Sequence, residues 1–306
     1  MKTLLLGAAI AVAFGGMASA QTMTFPQGAL KDGRIDLESP QGVMMANRKV
    51  QCSVIDEQPV TYYWHGQAYS RRMGERDVHL FDVEGMNIRQ CGTVNDADRG
   101  MGYKLVSREI LLYKDKDTGE VLKTWTNPWT DEELEVMHVA NDPVNFTSYM
   151  MGRDGSPGAF RGDIYGNHFQ MNSTFPLWYP NPLASDYQPE IGGTYHATEM
   201  FNFLGRVDEL TDPSTHTAPI AVGWARMSDW LPWMKMNGRE GIIYMHTAGL
   251  KLDSFDDLSD TMKAEIDMHY PDYVAPPPVS DPRDNMTSWK YYKAVREGEE
   301  TLPDRG

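Results

Sequence analysis

The chain has 306 residues, with 28 Lys and Arg against 43 Asp and Glu, a formal net charge of −15. This balance argues against a nucleic-acid partner, whose phosphates need clustered cations, and against anionic lipid surfaces. It fits a neutral or cationic ligand weakly.

Residues 1–20 read as a secretory signal. Lys2 gives a positive start, 4–14 is a continuous apolar run, and Ala18-Ser19-Ala20 is a small-residue cleavage pattern before Gln21. The competing reading is a buried N-terminal helix, for which such an ending has no packing rationale. The signal style is bacterial, so a periplasmic or secreted protein is expected. No later uncharged apolar run is long enough to span a bilayer, so no membrane insertion is expected after signal removal.

Residues 21–47 are polar and broken by Gly and Pro, and are expected to form a loosely docked arm. From Arg48 onward, short strand-like runs alternate with turn residues. Strands are predicted near 49–55, 59–69, 78–85, 86–94, 103–114, 121–127, 133–141, 167–178, 194–207, 220–228 and 242–252. Cys52 and Cys91 both fall in such runs. A disulfide between facing strands and two buried free thiols are both open. The best hairpin covers 103–127, turned by Asp115-Lys116-Asp117-Thr118-Gly119. Pairing Lys114 with Glu120 would set Glu109 opposite Trp125 and Ser107 opposite Asn127. Two Gly- and Pro-rich stretches, 151–166 and 179–193, are either binding loops or plain crossovers. Residues 254–269 carry Phe255, Leu258, Met262 and Ile266 at helical spacing, ended by Pro271. Residues 288–297 form a second short helix. The predicted fold is all-β (β-rich α+β): one antiparallel β-barrel or curved sheet, lipocalin-like in outline, with C-terminal helices packed outside. Residues 48–297 make the single domain and 298–306 a tail.

Ionisable groups sit on the apolar side of several runs. Successive strand residues face opposite sides, so Glu199 falls with Tyr195, Ala197, Phe201 and Phe203. Arg226 falls with Ile220, Val222 and Trp224. His138 alternates with Leu134, Val136 and Ala140, Arg108 with Val106, Ile110 and Leu112, and His246 with Ile242, Tyr244, Ala248 and Leu250. Buried charge is costly unless paired, so these groups are expected to meet around a polar pocket. Glu199 and Arg226 suit either an acid–base site or a structural pair that holds strand register. Glu199 or His138 would be the base, and Arg226 with Arg108 would stabilise developing negative charge. Both faces of the strand carrying Arg108 and Glu109 are largely apolar, which suggests a central strand covered on both sides.

Three Trp-Pro clusters stand at strand ends: Trp125-Thr126-Asn127-Pro128-Trp129, Phe175–Pro180 and Trp230–Met234. They either grip an apolar or aromatic small molecule at a barrel mouth or plug its end. Trp125, Asn127, Trp224, Trp233 and His246 are the candidate ligand contacts. The histidines lack metal-binding spacing, and two cysteines cannot build a Cys-rich zinc site. There is no nucleophile elbow, phosphate loop, dinucleotide fingerprint or haem attachment motif. No metal or cofactor is expected.

Phe81-Asp82-Val83-Glu84-Gly85-Met86-Asn87-Ile88-Arg89-Gln90-Cys91, Leu105-Val106-Ser107-Arg108-Glu109-Ile110, Thr124-Trp125-Thr126-Asn127-Pro128-Trp129, His138-Val139-Ala140-Asn141-Asp142-Pro143-Val144-Asn145 and Leu231-Pro232-Trp233-Met234-Lys235-Met236 are specific strings. They resemble the uncharacterised bacterial and fungal family of domain of unknown function 1838, over about 48–293. The resemblance implies one domain, often exported, and brings no reaction, cofactor or catalytic residue. The functional expectation is an exported protein that binds an apolar or aromatic ligand in a polar-centred pocket. It would either perform cofactor-free acid–base chemistry, as a lyase, isomerase or hydrolase, or act as a non-catalytic carrier or sensor.

Overall fold

The computed structural model describes residues 23–183, 193–236 and 238–305. The expected signal 1–20 and most of the 179–193 stretch lie outside the described residues. A small hairpin, β1 (Leu30–Lys31) and β2 (Arg34–Ile35), precedes helix α1 (Pro40–Gln51). The Ser39 hydroxyl caps α1 by accepting from the Gly42 N–H at 3.0 Å, and Pro40 occupies the first turn, where no donor is needed. This corrects the arm expected at 21–47 and the strand expected at 49–55. Val43, Met44, Met45, Ala46 and Val50 form a buried helical stripe. Arg48 and Lys49 mask that stripe in the sequence, yet both are buried. Arg48 bonds the Ser53 carbonyl and Asp56, and Lys49 bonds the carbonyls of Glu209 and Asp212.

The main chain then builds β3 (Val60–Arg71), β4 (Val78–Asp96), β5 (Gly100–Lys114), β6 (Thr124–Thr126), β7 (Glu133–Glu135), β8 (Val139–Tyr149), β9 (Asp163–Tyr165), β10 (His168–Pro180), β11 (Thr194–Arg206), helix α2 (Val207–Thr211), β12 (Ala221–Ser228) and β13 (Ile242–Leu252). Nine of these strands form one antiparallel sheet in the order β8-β5-β4-β3-β13-β12-β11-β10-β9, curled into a half-barrel. The fold is mostly β, as predicted, and the curved sheet rather than the closed barrel is found. Helices α3 (Asp260–His269) and α4 (Ser288–Glu297) follow. Among the described residues, no helix is long and apolar enough to cross a membrane.

Two local readings are revised. The runs 78–85 and 86–94 are one strand. Gly85 reads as a break but is a close-approach position: a Cβ there would come within 2.4 Å of the Trp64 indole, which lies across it. The 103–127 hairpin closes as expected around Asp115 and Gly119, which has φ 75°. It then stops after one bridge between Lys114 and Val121. β6 pairs with β7 instead, and β5 takes β8 as its second neighbour. Glu109 therefore stands between Asn87 and Asn141, not opposite Trp125.

Three apolar clusters result. On the convex face α3 covers Met86, Ile88, Ile110 and Leu112 with Leu258, Met262 and Ile266. One end of the concave face is filled by Phe81, Tyr113, Trp125, Trp230, Trp233, Trp289 and their neighbours. The other end is filled by α1 and α2 residues against Tyr62, Leu105, Phe203 and Val222. The tail is anchored: Arg305 pairs with Glu265 and donates to the Tyr270 hydroxyl at 3.2 Å.

Cys52, at the C-terminal cap of α1, is disulfide-bonded to Cys91 on β4, with Cα atoms 6.0 Å apart. The bridge joins helix to sheet rather than strand to strand. It spans 39 residues of sequence, so its chain-entropy contribution is about 4 kcal/mol. Urea unfolding of a Cys52→Ala, Cys91→Ala variant is expected to show a loss of that order, with reductant leaving the variant's midpoint unchanged.

Candidate functional site

Along each concave-facing row the side chains change character in the same order. On β5, Tyr113 and Leu111 belong to one apolar end and Leu105 to the other, with Glu109 and Ser107 between them. On β11, Tyr195 and Ala197 give way to Glu199, then Phe201 and Phe203. On β4, Phe81 and Val83 lead through Gly85 to Asn87 and Arg89, then Cys91. Because the sheet curls, the middle positions converge on one cavity of about 350 Å³. It is lined by a polar belt of Asn87, Arg89, Ser107, Glu109, Asn141, Glu199 and Arg226, with Trp64, Phe201 and Trp224 among the apolar walls. Phe146 on β8 and Phe175 on β10 line it too and are 44% and 51% exposed, which places them at its mouth.

Glu199 and Arg226 are direct cross-strand partners. Arg226 Nη1 donates to Glu199 Oε1 at 2.9 Å, and Nη2 donates to the Tyr195 hydroxyl. Their side chains are 23% and 19% exposed, so the pair borders the cavity rather than bulk solvent. Glu109 is bound differently. It accepts from Asn141 Nδ2 at 2.7 Å and has no ion-pair partner among the described residues. Burial pushes its carboxyl pKa up and the Glu199 charge adds to that, against the opposing hydrogen bond from Asn141 and the pull of Arg226 and Arg89. One carboxylate is thus clamped by a guanidinium while the other is disposed to hold a proton, the division of roles that proton transfer uses. Among the described residues Trp64 Nε1, Asn141 Oδ1, Asn145 Oδ1 and Arg226 Nε are buried beside this space without a hydrogen-bond partner.

The structure brings together only part of the predicted set. Glu199, Arg226 and Trp224 line the cavity. His138 does not. It follows β7 after a break in the strand, so its alternation with Leu134 and Val136 did not report a shared strand face. Its Nδ1 accepts from the Tyr113 N–H at 3.0 Å and its Nε2 donates to the Leu122 carbonyl at 3.0 Å, which fixes one neutral tautomer. Burial lowers its pKa to about 3, which disqualifies it as a neutral-pH base. Arg108 is indeed on a covered face, but the convex one. It holds the carbonyls of Asp272 and Ala275 and pairs with Asp142 at 3.0 Å. His246 is exposed on the convex side, because Ile243, Met245 and Thr247 take the inward positions of β13. Trp125 and Trp233 pack at 5.7 Å and 90° inside the aromatic plug. Asn127 is buried there, with its side chain accepting from the Trp129 N–H and donating to the Met234 carbonyl. Of the two readings of the Trp-Pro clusters, the plug is the one these residues follow.

Glu109 and Arg89 were missed. Glu109 lies on a strand with two apolar faces, so alternation could not choose its side. Arg89 was separated from the apolar Phe81 and Val83 of its own row because Gly85 reads as a break between two strands. Among the described residues no group of three or more His, Cys, Asp or Glu side chains is placed to hold a metal.

Residues 57–296 match the model of a family described as a protein of unknown function, DUF1838. No curated protein matches the chain.

Removing one member of the buried pair strands the other. Arg226→Met is expected to destabilise by about 3 kcal/mol, and Arg226→Met with Glu199→Leu by less, both read from urea unfolding. His138 supplies a pH signature. Its folded pKa of about 3 lies below the ordinary imidazole value of 6.5, so its contribution is complete above pH 6.5 and is lost as pH falls toward 3. Thermal melts of His138→Gln should be less pH-dependent than wild type across that window.

Proposed function

The chain belongs to the DUF1838 family, which carries no assigned activity, and from the site alone we propose that it binds a small apolar or aromatic molecule in the half-barrel cavity and exchanges a proton with it through Glu109. The carrying observation is the unpaired Glu109 carboxyl in the polar belt of a cavity otherwise walled by Trp64, Phe201 and Trp224. A carboxyl whose pKa is raised by burial holds its proton more tightly than a solvated one, which suits it to proton exchange with a bound molecule. The neighbouring Arg226–Glu199 pair supplies a fixed cation and anion within the same space. The volume falls in the range used for small ligands. Aromatic walls give apolar contact and the belt fixes orientation.

Export is part of the same reading. The Cys52–Cys91 bridge suits an oxidising compartment, and the Ala18-Ser19-Ala20 ending suits signal cleavage.

The test is native mass spectrometry of the mature protein purified from its host. Wild type is expected to carry a stoichiometric small molecule. Val144→Trp, which puts a bulky ring into the cavity lining, should lose it while keeping a cooperative melt. Unchanged occupancy in Val144→Trp would place the ligand elsewhere. With the molecule identified, Glu109→Gln should retain binding and lose turnover. Retained turnover in that variant would remove Glu109 from the chemistry.

A further inference from the structure

The two guanidiniums of the cavity differ in a way that bears on what the cavity accepts. Arg226 is matched by Glu199 at 2.9 Å. Arg89 has no carboxylate within ion-pair distance among the described residues. Its Nε donates to Asn87 Oδ1 at 2.7 Å, its Nη1 donates to Gln51 Oε1 at 3.0 Å, and its guanidinium lies 4.7 Å from the centre of the Tyr62 ring. Both partners are neutral amides. They hold the group in place without cancelling its charge. Nη2 has no hydrogen-bond acceptor among the described residues, and Arg89 is one of the residues that line the cavity. Arginine stays charged in such surroundings. A buried charge without a partner is unfavourable, and a carboxylate is the partner whose geometry the guanidinium fork fits.

Around Arg89 the cavity provides what the rest of such a ligand needs. Trp64, Phe201 and Trp224 form apolar walls, with Trp64 and Trp224 at 6.3 Å centroid separation. Resting on the reading of this cavity as a small-molecule site, we propose that its ligands are aryl or alkyl carboxylic acids, bound as the anion with the carboxylate on Arg89 and the apolar body against Trp64, Phe201 and Trp224. The chain's net charge of −15 favours a neutral or cationic ligand at long range. Contacts inside the cavity reverse that preference, because screening confines the long-range field to roughly a Debye length of 8 Å at physiological salt.

Matched acids and amides test this: 2-naphthoate against 2-naphthamide, and trans-cinnamate against cinnamamide, titrated into the mature protein and followed by quenching of tryptophan fluorescence. In wild type each acid is expected to bind at least about tenfold more tightly than its amide. Arg89→Met should abolish that ratio by weakening the acid far more than the amide, and Arg89→Lys should restore part of it. The wild-type ratio is read without any variant, so a failure of Arg89→Met to fold does not block the test. Amides that bind as well as or better than acids would overturn the carboxylate assignment and leave the cavity reading standing. If none of the four compounds binds, both fall together.

Discussion

A row of charged and amide side chains crosses the inside of a sheet whose two ends are packed with aromatic and aliphatic groups. That belt is the constraint on which the rest of the molecule depends. In a curled antiparallel sheet, alternate residues of neighbouring strands are driven into one space. Placing Glu199, Arg226, Glu109 and Arg89 there means that each charge must be met. Glu199 and Arg226 meet each other across the β11–β12 register. Among the described residues Glu109 is hydrogen-bonded by an amide, and Arg89 by two amides beside the Tyr62 ring, without an ion-pair partner for either. The first pair holds the sheet in register, and the other two groups keep a chemical capacity that the fold itself does not use.

The surrounding architecture follows from keeping that belt away from bulk water. The β6–β7 hairpin, the segment around Trp233 and helix α4 close one end of the concave face, and α1 with α2 closes the other. The disulfide fastens α1 to β4 two residues beyond Arg89. Gln51, the last residue of α1, reaches Arg89 directly. Helix position and the orientation of the open guanidinium are thus tied together. On the convex side Glu84, paired with Lys114 and bonded by Tyr63 and Ser259, fixes the start of α3, and Arg108 fixes the segment after it. These are charges of the same kind as those in the cavity, but fully engaged and without a space beside them.

Much of this was legible in the sequence, and the failures have physical causes. The strands β3, β4, β5 and β10 to β13 could be read because each carries a recurring apolar face, whereas β8 was met only at its first residues, as the end of the 133–141 run. The Glu199–Arg226 pairing was readable for the same reason: both lie in rows of apolar neighbours on consecutive strands. Arg108 misled because a curled sheet with helices on its back has two buried faces, and alternation does not distinguish concave from convex; His246 misled because its apolar row ends in Ala248 and Leu250 on an exposed part of the convex face. His138 misled because its apparent row crosses the non-strand residues 136–138 between β7 and β8. Helix α1 was hidden by Arg48 and Lys49, two charges that are buried and satisfied by carbonyls and Asp56. Glu109 depended on knowing that β8, not the 121–127 segment, lies beside β5. That is a long-range pairing with no local signature.

The central claim is that the belt forms a receptor rather than only a structural seam. A high-resolution crystal structure of the mature protein, purified from its host without denaturation, tests it most directly. The account predicts continuous density for an organic molecule against Trp64 and Trp224, with one polar end within hydrogen-bonding distance of Arg89 Nη2 and another atom facing Glu109. Density for such a molecule lodged outside the half-barrel, with Glu109 and Arg89 bridged to each other and the cavity collapsed around them, would contradict it.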